Sequence, residues 1–188
     1  MASGKGVVIR ELSQRGYKIF SLSDILRETL GLLQLPPDRV ALQDVADLLR
    51  KHAGSGVLAE RAVARINQCP DREIGIDSIR NPAEMHVLID LLEARFIGVD
   101  ASFERSFANM CKRNREGDPK TWEEFLPIAE RDRGIGQAQN GQQVGACLKL
   151  AEPHIIQNDG SLQDLRRKIE AEFQRMGIEG KRPIAERK

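Results

Sequence analysis

The stretch Met1-Ala2-Ser3-Gly4-Lys5-Gly6 leads directly into an apolar segment with helical spacing, and the rest of the chain is interpreted from it. A Gly-Lys-Gly run that opens a helix is typical of the second half of a phosphate-binding loop, where backbone N–H groups and the positive helix end surround phosphate oxygens. The lysine of such a loop reaches the outer phosphates. We therefore predict a nucleotide-phosphate site formed by Ser3, Gly4, Lys5, Gly6 and Val7.

The pattern is only half of the usual loop. The glycine and the buried strand that precede it would lie upstream of Met1, and Gly6 stands where the common form has the Ser or Thr that holds magnesium. A flexible basic terminus would also explain this fragment. We expect the reading frame to continue upstream through a short Val/Ile-rich strand and a glycine, because a parallel sheet without that central strand would keep an open apolar slot.

Composition excludes several function classes. The chain has 188 residues, which fits one domain, and its 29 Lys and Arg nearly balance its 28 Asp and Glu. This balance and an aromatic content of only 4% argue against nucleic acid as a partner. Three widely spaced cysteines and the lack of a long apolar run predict a cytoplasmic protein with no membrane partner. The expected partner is a small-molecule nucleotide.

Short apolar segments alternate with amphipathic ones along the chain. Strands are predicted at residues 17–22, 73–79, 96–101 and 154–157, each followed by a helical pattern. This alternation predicts an α/β fold of three layers, with a mostly parallel sheet between helices and a ligand site at the carboxyl ends of the strands. Within residues 1–176 we expect a helical insertion at about 31–70 and a mobile charged segment at about 112–136, and residues 177–188 read as a loose basic tail.

Polar segments that follow the predicted strands resemble those of the nucleoside monophosphate kinase group of P-loop proteins, which includes adenylate kinase and, more distantly, dephospho-CoA kinase. Ser21-Leu22-Ser23-Asp24-Ile25-Leu26-Arg27 looks like the Asp-Met-Leu-Arg segment of the group, and Ile76-Asp77-Ser78-Ile79-Arg80 is similar to its Asp-Gly-x-x-Arg segment. The nearest resemblance is to the kinase-like half fused to some deoxycytidylate deaminases, which shares Gly-Gln-Gln-Val-x-x-Cys (residues 141–147) and Asn-Asp-Gly (residues 158–160). The zinc-binding deaminase pattern itself is absent from the sequence.

The resemblance implies a role for each matching residue. Lys5 would hold the donor phosphates and Asn158 would lie near the adenine. Arg27 and Arg80 would bind the acceptor phosphate, with Asp24 and Asp77 beside them. The arginines of the lid, which neutralise the transferring group, would be Arg105, Arg113 and Arg115. Lys5, Arg80, Arg113 and Arg115 are thus the expected catalytic set.

Asp77 has two interpretations, since it could be a structural turn residue or could orient water on magnesium. Arg27 could equally be a helix-surface residue paired with Asp24 or Glu28. The expected cofactors are ATP and the Mg²⁺ that accompanies it, with no side chain binding the metal directly.

Three functions remain open at this point. The first is an ATP-dependent phosphotransferase that acts on a nucleoside or deoxynucleoside monophosphate. The second is a dephospho-CoA kinase, which phosphorylates a sugar hydroxyl and would need a base near Asp24. The third is a nucleotide-sensing module that has the kinase fold but transfers no phosphate.

Overall fold

The alternation of strands and helices predicted from the sequence is present in the computed structural model, which describes residues 2–115 and 117–179. In chain order the elements are α1 (Lys5–Gln14), β1 (Lys18–Ser21), α2 (Leu22–Leu32), α3 (Arg39–Ala53), α4 (Val57–Ile66), β2 (Ile74–Asp77), α5 (Pro82–Leu92), β3 (Gly98–Asp100), α6 (Phe103–Arg113), α7 (Trp122–Arg133), α8 (Val144–Leu150), β4 (Ile155–Gln157) and α9 (Leu162–Arg175). The α/β class is therefore confirmed.

Several helices begin at side-chain caps that are readable in the sequence. Asn81 accepts a hydrogen bond from the N–H of Ala83 at the start of α5, and Glu84 reaches back to the N–H of Asn81. The same reciprocal arrangement opens α7 at Thr121 and α9 at Ser161. Because these caps satisfy N–H groups that have no partner within the helix, they fix where each helix begins after its strand or loop.

The strands form two separate parallel pairs. β1 pairs with β2 from Lys18–Ile74 to Ser21–Asp77, and β3 pairs with β4 from Gly98–Ile155 to Asp100–Gln157. No ladder joins β2 to β3 among the described residues, so the single sheet expected from the sequence is divided. The physical reason is an open slot, lined by residues of both β2 and β3, that separates the two pairs.

The carboxyl ends of both pairs meet at the start of α1. Lys5 forms an ion pair with Asp77, the last residue of β2. The Asn158 amide, one residue beyond β4, donates to the Ser3 carbonyl oxygen over 2.8 Å. The strand ends therefore converge on the Ser3 to Lys5 turn, as the parallel arrangement requires.

Two apolar clusters hold the layers together. One joins α2, α3 and α4 through Leu22, Ala46 and Leu58, which are at most 1% exposed. The other joins α1, β3, β4 and α9 around Ile169 and Phe173. The helical insertion predicted at 31–70 corresponds to α3 and α4, which pack on α2 through the first cluster.

The charged segment at 112–136 differs from the mobile excursion expected from the sequence. It contains α7, whose Phe125 and Ala129 are 0% and 2% exposed and pack against Met110 of α6. Trp122 and Phe107 extend this cluster, with ring centroids 5.6 Å apart. The apolar face of α7 is not evident from the composition of the segment, which is dominated by charged residues. Phe125 and Ala129 lie four positions apart and therefore share one side of the helix, whereas its other side is charged.

At the carboxyl end, Ile178 packs against the Phe173 cluster, whereas most of the predicted tail, from residue 180 onward, lies outside the described residues. Within the described part of the chain, no helix combines the length and the apolarity that a bilayer crossing needs.

Candidate functional site

Gly4 sets the geometry of the loop that precedes α1. Its φ of 106° lies in the left-handed region, and a Cβ atom at this position would stand 2.7 Å from the Asn158 Nδ2 atom. Asn158 itself is 5% exposed and holds the Ser3 carbonyl oxygen. Both the backbone conformation and the close approach therefore require glycine at this position. Asn158 contacts the predicted phosphate loop from the far side of the split sheet.

The amide groups of the loop differ in availability. The N–H of Val7 already donates to the Gly4 carbonyl oxygen over 2.8 Å, and the Val7 side chain packs on the Phe173 cluster. The N–H of Gly6 donates to no backbone acceptor among the residues that the structure describes. Gly6 is exposed, so its amide can face an anion at the positive end of α1.

Lys5 points into the cavity at the carboxyl end of β2. Its ammonium pairs with the Asp77 carboxylate, and nearly half of its side chain is accessible from the cavity. Desolvation lowers the pKa of Lys5, and nearby Arg80 and Arg39 lower it further, while Asp77 acts in the opposite direction. Asp77 therefore holds a lysine that is surrounded by other cations.

Three serine hydroxyls lie beside this ion pair. Ser21 Oγ is 2.9 Å from Ser23 Oγ and donates to Ser78 Oγ over 3.2 Å. Ser78 has a φ of 66°, and its N–H donates to the Asp77 carboxylate over 2.6 Å. The ends of β1 and β2 thus present a group of hydroxyl and carboxylate oxygens next to Lys5.

Arg27 lies at the rim of the same cavity. One of its guanidinium nitrogens donates to Ser23 Oγ over 2.8 Å and to the Asp24 carboxylate over 2.9 Å. Both members of this ion pair are about half exposed or more, which leaves it weak in solvent. The surface pairing with Asp24 is therefore present, and it leaves Arg27 at the cavity wall, where an anion can compete for it.

Arg80 is more deeply placed than Arg27. It pairs with Asp132 of α7, and its backbone N–H donates to the buried Glu84 over 2.7 Å. Burial, followed by repulsion from Arg39, lowers the pKa of Arg80 to about 10, so the guanidinium stays charged at neutral pH. Arg80 thus links the end of β2 to the charged segment.

Arg39 was not anticipated from the sequence. It follows the cap of α3 and donates to the Asp118 carboxylate through two nitrogens, at 3.1 and 2.9 Å. Arg113 donates to the same carboxylate at 2.8 and 2.9 Å. Asp118 is nearly buried, and the hydrogen bonds from the two guanidinium groups outweigh its desolvation and hold its pKa below the usual range.

This arrangement could not be predicted from the sequence, because 79 positions separate Arg39 from Asp118. An arginine directly after a helix cap reads as an ordinary surface residue. Desolvation, only partly offset by Asp118, lowers the pKa of Arg39. The Arg39 side chain is 27% exposed, a partly enclosed setting that no local pattern in the sequence could show.

One cavity of about 980 Å³ joins these groups. We call its charged part the cationic cavity; it is lined by Lys5, Arg27, Arg39, Arg80, Arg113 and Arg115. The predicted lid residue Arg105 does not line it, because its guanidinium donates to the Gly160 carbonyl oxygen in the turn after β4. Arg105 belongs to the first turn of α6, which faces that turn rather than the cavity.

The oxygen groups of the cavity suit a metal that arrives with its ligand. Within the described ranges, no group of three His, Cys, Asp or Glu side chains could bind a metal ion by itself. Asp77 and the hydroxyls near it are the hard oxygen donors that Mg²⁺ and its water shell prefer. These residues fit a magnesium ion held mainly by phosphate and water.

Sequence comparison places the chain among archaeal relatives. No family profile matches it. A UPF0200 protein of Hyperthermus butylicus is 31% identical over 174 residues, which cover 93% of this chain and 87% of the relative. A UPF0200 protein of Pyrococcus furiosus is 30% identical, with 89% of each chain covered, and one of Thermococcus sibiricus is 28% identical, with 95% of this chain and 93% of the relative covered. Because identity at this level extends over most of both chains, the protein with the split parallel sheet and the cationic cavity belongs to the UPF0200 family.

Proposed function

We propose that this protein is an ATP-dependent phosphotransferase that moves the terminal phosphoryl group of ATP to a nucleoside or deoxynucleoside monophosphate. The observation that carries the proposal is the cationic cavity, to which α1, α2, α3, the end of β2 and the end of α6 each bring a cation. A structural ion pair needs one cation for each carboxylate. An excess of cations that converge from separate elements instead suits a ligand with several phosphates.

The donor phosphates are assigned to the start of α1. Gly4 allows the backbone to turn there, Gly6 is exposed, and Lys5 reaches toward the cavity from the same turn. This arrangement supplies a helix N-terminus and one mobile cation to the outer phosphates of ATP. The resemblance to the nucleoside monophosphate kinase group, stated from the sequence, supports the same assignment.

The acceptor phosphate is assigned to Arg27 and Arg80, with Arg39 added from the structure. A planar guanidinium can bind two phosphate oxygens at once, so arginines on different walls fix the orientation of the phosphate. Positioning of this kind, together with charge stabilisation, accounts for most of the catalysis in phosphoryl transfer. Asp24 and Asp77 hold Arg27 and Lys5 until phosphate oxygens replace them.

The transferring group is assigned to Arg113 and Arg115 at the end of α6. Arg113 lies in the pair with Asp118, and Arg115 is exposed at the cavity wall. Cations in this position neutralise charge as it develops on the transferring phosphoryl group. Magnesium bound to ATP supplies further positive charge, and Asp77 with the nearby hydroxyls would hold its water shell.

The dephospho-CoA kinase alternative depends on a base at Asp24. The Asp24 side chain is 61% exposed, and its carboxylate is already paired with Arg27, so it is not free to act as that base. A nucleotide-sensing module would need the same donor site but would not phosphorylate an acceptor. The two acceptor-side arginines that face the cavity favour transfer over sensing.

We also propose a cytoplasmic location. Cys69, Cys111 and Cys147 are all free thiols. A reducing compartment keeps thiols in this state.

An assay of ADP release across nucleoside monophosphates and dephospho-CoA, beside equilibrium binding of ATP, separates the three functions. The proposal predicts ADP release that depends on one monophosphate and is lost in Lys5→Ala. The matched control is Lys51→Ala, which removes an exposed lysine of α3 outside the cavity and should leave the rate unchanged. Release with dephospho-CoA alone would favour the second function, and ATP binding without any release would favour the sensing module.

A further inference from the structure

The segment Gly141-Gln142-Gln143 lies between α7 and α8 and has no part in the proposed transfer. It is tied to the turn that carries Arg80. The Asn81 amide donates to the Gly141 carbonyl oxygen over 2.9 Å, and the Gln143 N–H donates to the Arg80 carbonyl oxygen over 2.7 Å. Gln142, between these two anchors, is 2% exposed and lines the cavity. Its side chain is therefore fixed beside the arginine that is assigned to the acceptor phosphate.

Gln43 reaches the same cavity from α3. It lies one helical turn after Arg39, and both side chains line the cavity. Gln43 is 5% exposed, and its Nε2 atom donates to the Ile128 carbonyl oxygen and to Gln142 Oε1, each over 3.4 Å. Gln142 Oε1 also accepts a hydrogen bond from an Arg80 guanidinium nitrogen over 3.4 Å. The two amides thus form a pair that begins at Arg80 and extends away from it.

The neighbours of this amide pair determine which atom of each amide faces them. A guanidinium can only donate, so the Gln142 atom that faces Arg80 is the oxygen. A carbonyl oxygen can only accept, so the Gln43 atom that faces Ile128 is the nitrogen. The other two amide atoms, Gln43 Oε1 and Gln142 Nε2, make no hydrogen bond within the described ranges. One hydrogen-bond acceptor and one donor are therefore left on neighbouring amides.

We propose that Gln43 and Gln142 bind the nucleobase of the acceptor. Gln43 Oε1 accepts a hydrogen bond from an N–H group of the base, and Gln142 Nε2 donates to the acceptor atom beside that group. Base edges carry donors and acceptors next to each other, whereas a phosphate at neutral pH offers mainly acceptors. The inference rests on the proposed function, which assigns the acceptor phosphate to Arg80.

The burial of Gln43 Oε1 carries the argument. A buried amide oxygen without a partner costs free energy, and such groups in folded proteins are rare. The cost is recovered when a ligand supplies the missing N–H group. Both hydrogen bonds of Gln43 Nε2 are longer than the usual range, so the amide is held weakly and can turn to meet a base.

The position of the amide pair relative to the cations also fits a nucleoside monophosphate. Arg39 and Arg80 would hold its phosphate, and Gln43 follows Arg39 by one turn on the same face of α3. Leu42, the neighbour of Gln43 in the chain, lines the cavity as well and offers apolar surface to the ring of a base. The phosphate and the base would therefore bind to successive parts of one helix face.

Equilibrium binding without ATP measures the contribution of the base. The probes are AMP, GMP, CMP and UMP, each compared with ribose 5-phosphate, which has the sugar and the phosphate but no base. At least one of the four should bind the wild type about tenfold more tightly than ribose 5-phosphate does. Gln43→Leu should reduce this ratio by about fivefold and leave the affinity for ribose 5-phosphate unchanged. Gln142→Leu should lower the same ratio, since it removes the donor.

The melting temperature separates this role from a structural one. Gln43→Leu replaces an unpaired buried oxygen with an apolar group of similar size, so the ligand-free variant should melt no lower than the wild type. A glutamine that serves the fold would instead lower the melting temperature when it is replaced. The matched control is Gln163→Leu, at an exposed position of α9 outside the cavity, which should change neither the melting temperature nor the binding ratio.

Equal affinities of the wild type for ribose 5-phosphate and all four monophosphates would overturn the inference. So would a Gln43→Leu protein that keeps the wild-type ratio, because water would then satisfy the amide. Equal losses for a monophosphate and ribose 5-phosphate would assign Gln43 to the support of Arg80 alone. Binding that depends on the base and on Gln43, without ADP release by the wild type, would leave this inference standing and contradict the proposed transfer.

Discussion

Lys5, in the first turn of α1, pairs with Asp77, the last residue of β2, although 72 positions separate them in the chain. Desolvation and nearby arginines lower the pKa of Lys5, and Asp77 is the group that opposes this shift. The pair connects the predicted phosphate loop to the edge of the sheet. The Asp77 carboxylate is therefore the group that favours the charged form of the lysine.

Asp77→Asn should therefore lower the pKa of Lys5 further. A lysine with a lowered pKa loses its charge as the pH rises, so ATP binding by the variant should weaken at a lower pH than binding by the wild type. Calorimetric binding measured from pH 7 to pH 10 checks this shift. Asp90→Asn in α5, at an exposed position outside the cavity, is the matched control. Identical pH profiles for the wild type and Asp77→Asn would contradict the electrostatic role.

Arg39→Ala should weaken nucleotide binding by about 1.5–3 kcal/mol, the usual range for a lost hydrogen bond to a charged group. Arg61→Ala removes an exposed arginine of α4 that does not line the cavity and should have no effect on binding. Titration calorimetry with ATP and with the acceptor shows which of the two ligands Arg39 contacts. Unchanged affinity for both ligands would show that Arg39 contacts neither of them and serves only in its ion pair with Asp118.

Asp118 should make stability depend on pH in acid. Its pKa is held below the ordinary value of 3.8, so the paired form stabilises the fold fully above that pH and loses this contribution as the pH falls further. The wild type should therefore lose more unfolding free energy between pH 5 and pH 3 than Asp118→Asn. Urea denaturation at a series of pH values measures the difference. If the unfolding free energies of the two proteins change in parallel with pH, the charge of the Asp118 carboxylate does not contribute to stability.

The Arg80→Lys variant should distinguish the role of Arg80 in acceptor binding from its role in the stability of the fold. Lysine keeps the positive charge beside Asp132 but cannot bind two oxygens in the planar manner of arginine. We expect the acceptor KM to rise at least tenfold, about 1.4 kcal/mol, with little change in melting temperature. Arg80→Ala should also destabilise the protein, since it removes the cation beside a buried carboxylate. A lysine variant with wild-type KM would assign Arg80 to the fold alone.

Local patterns in the sequence predicted most of the elements. The short apolar segments that predicted β1 and β2 depend on neighbours within a few positions, and both strands are confirmed. The burial of α7 was missed because its charged residues dominate the local composition. The pairing of the strands depends on contacts between residues that are far apart in the chain, which periodicity does not encode.

The residues of the site could likewise be predicted only where a local pattern marks them. Lys5, Arg27 and Arg80 were found because each follows a strand end or opens a helix, and they do line one cavity. Arg39 and Asp118 were not found, since their relation exists only after α3 and the end of α6 are packed together. Arg105 was assigned to the lid by position along the chain, whereas the orientation of α6 turns it to the opposite side.

If donor and acceptor phosphates share the cationic cavity, a bisubstrate ligand made of two nucleosides joined by five phosphates should occupy both sites at once. Calorimetry should then show binding at least a hundredfold tighter than that of ATP, about 2.8 kcal/mol, and a marked loss of this affinity in both Lys5→Ala and Arg27→Ala. Binding no tighter than that of ATP, or weakened by the Lys5 change alone, would contradict it.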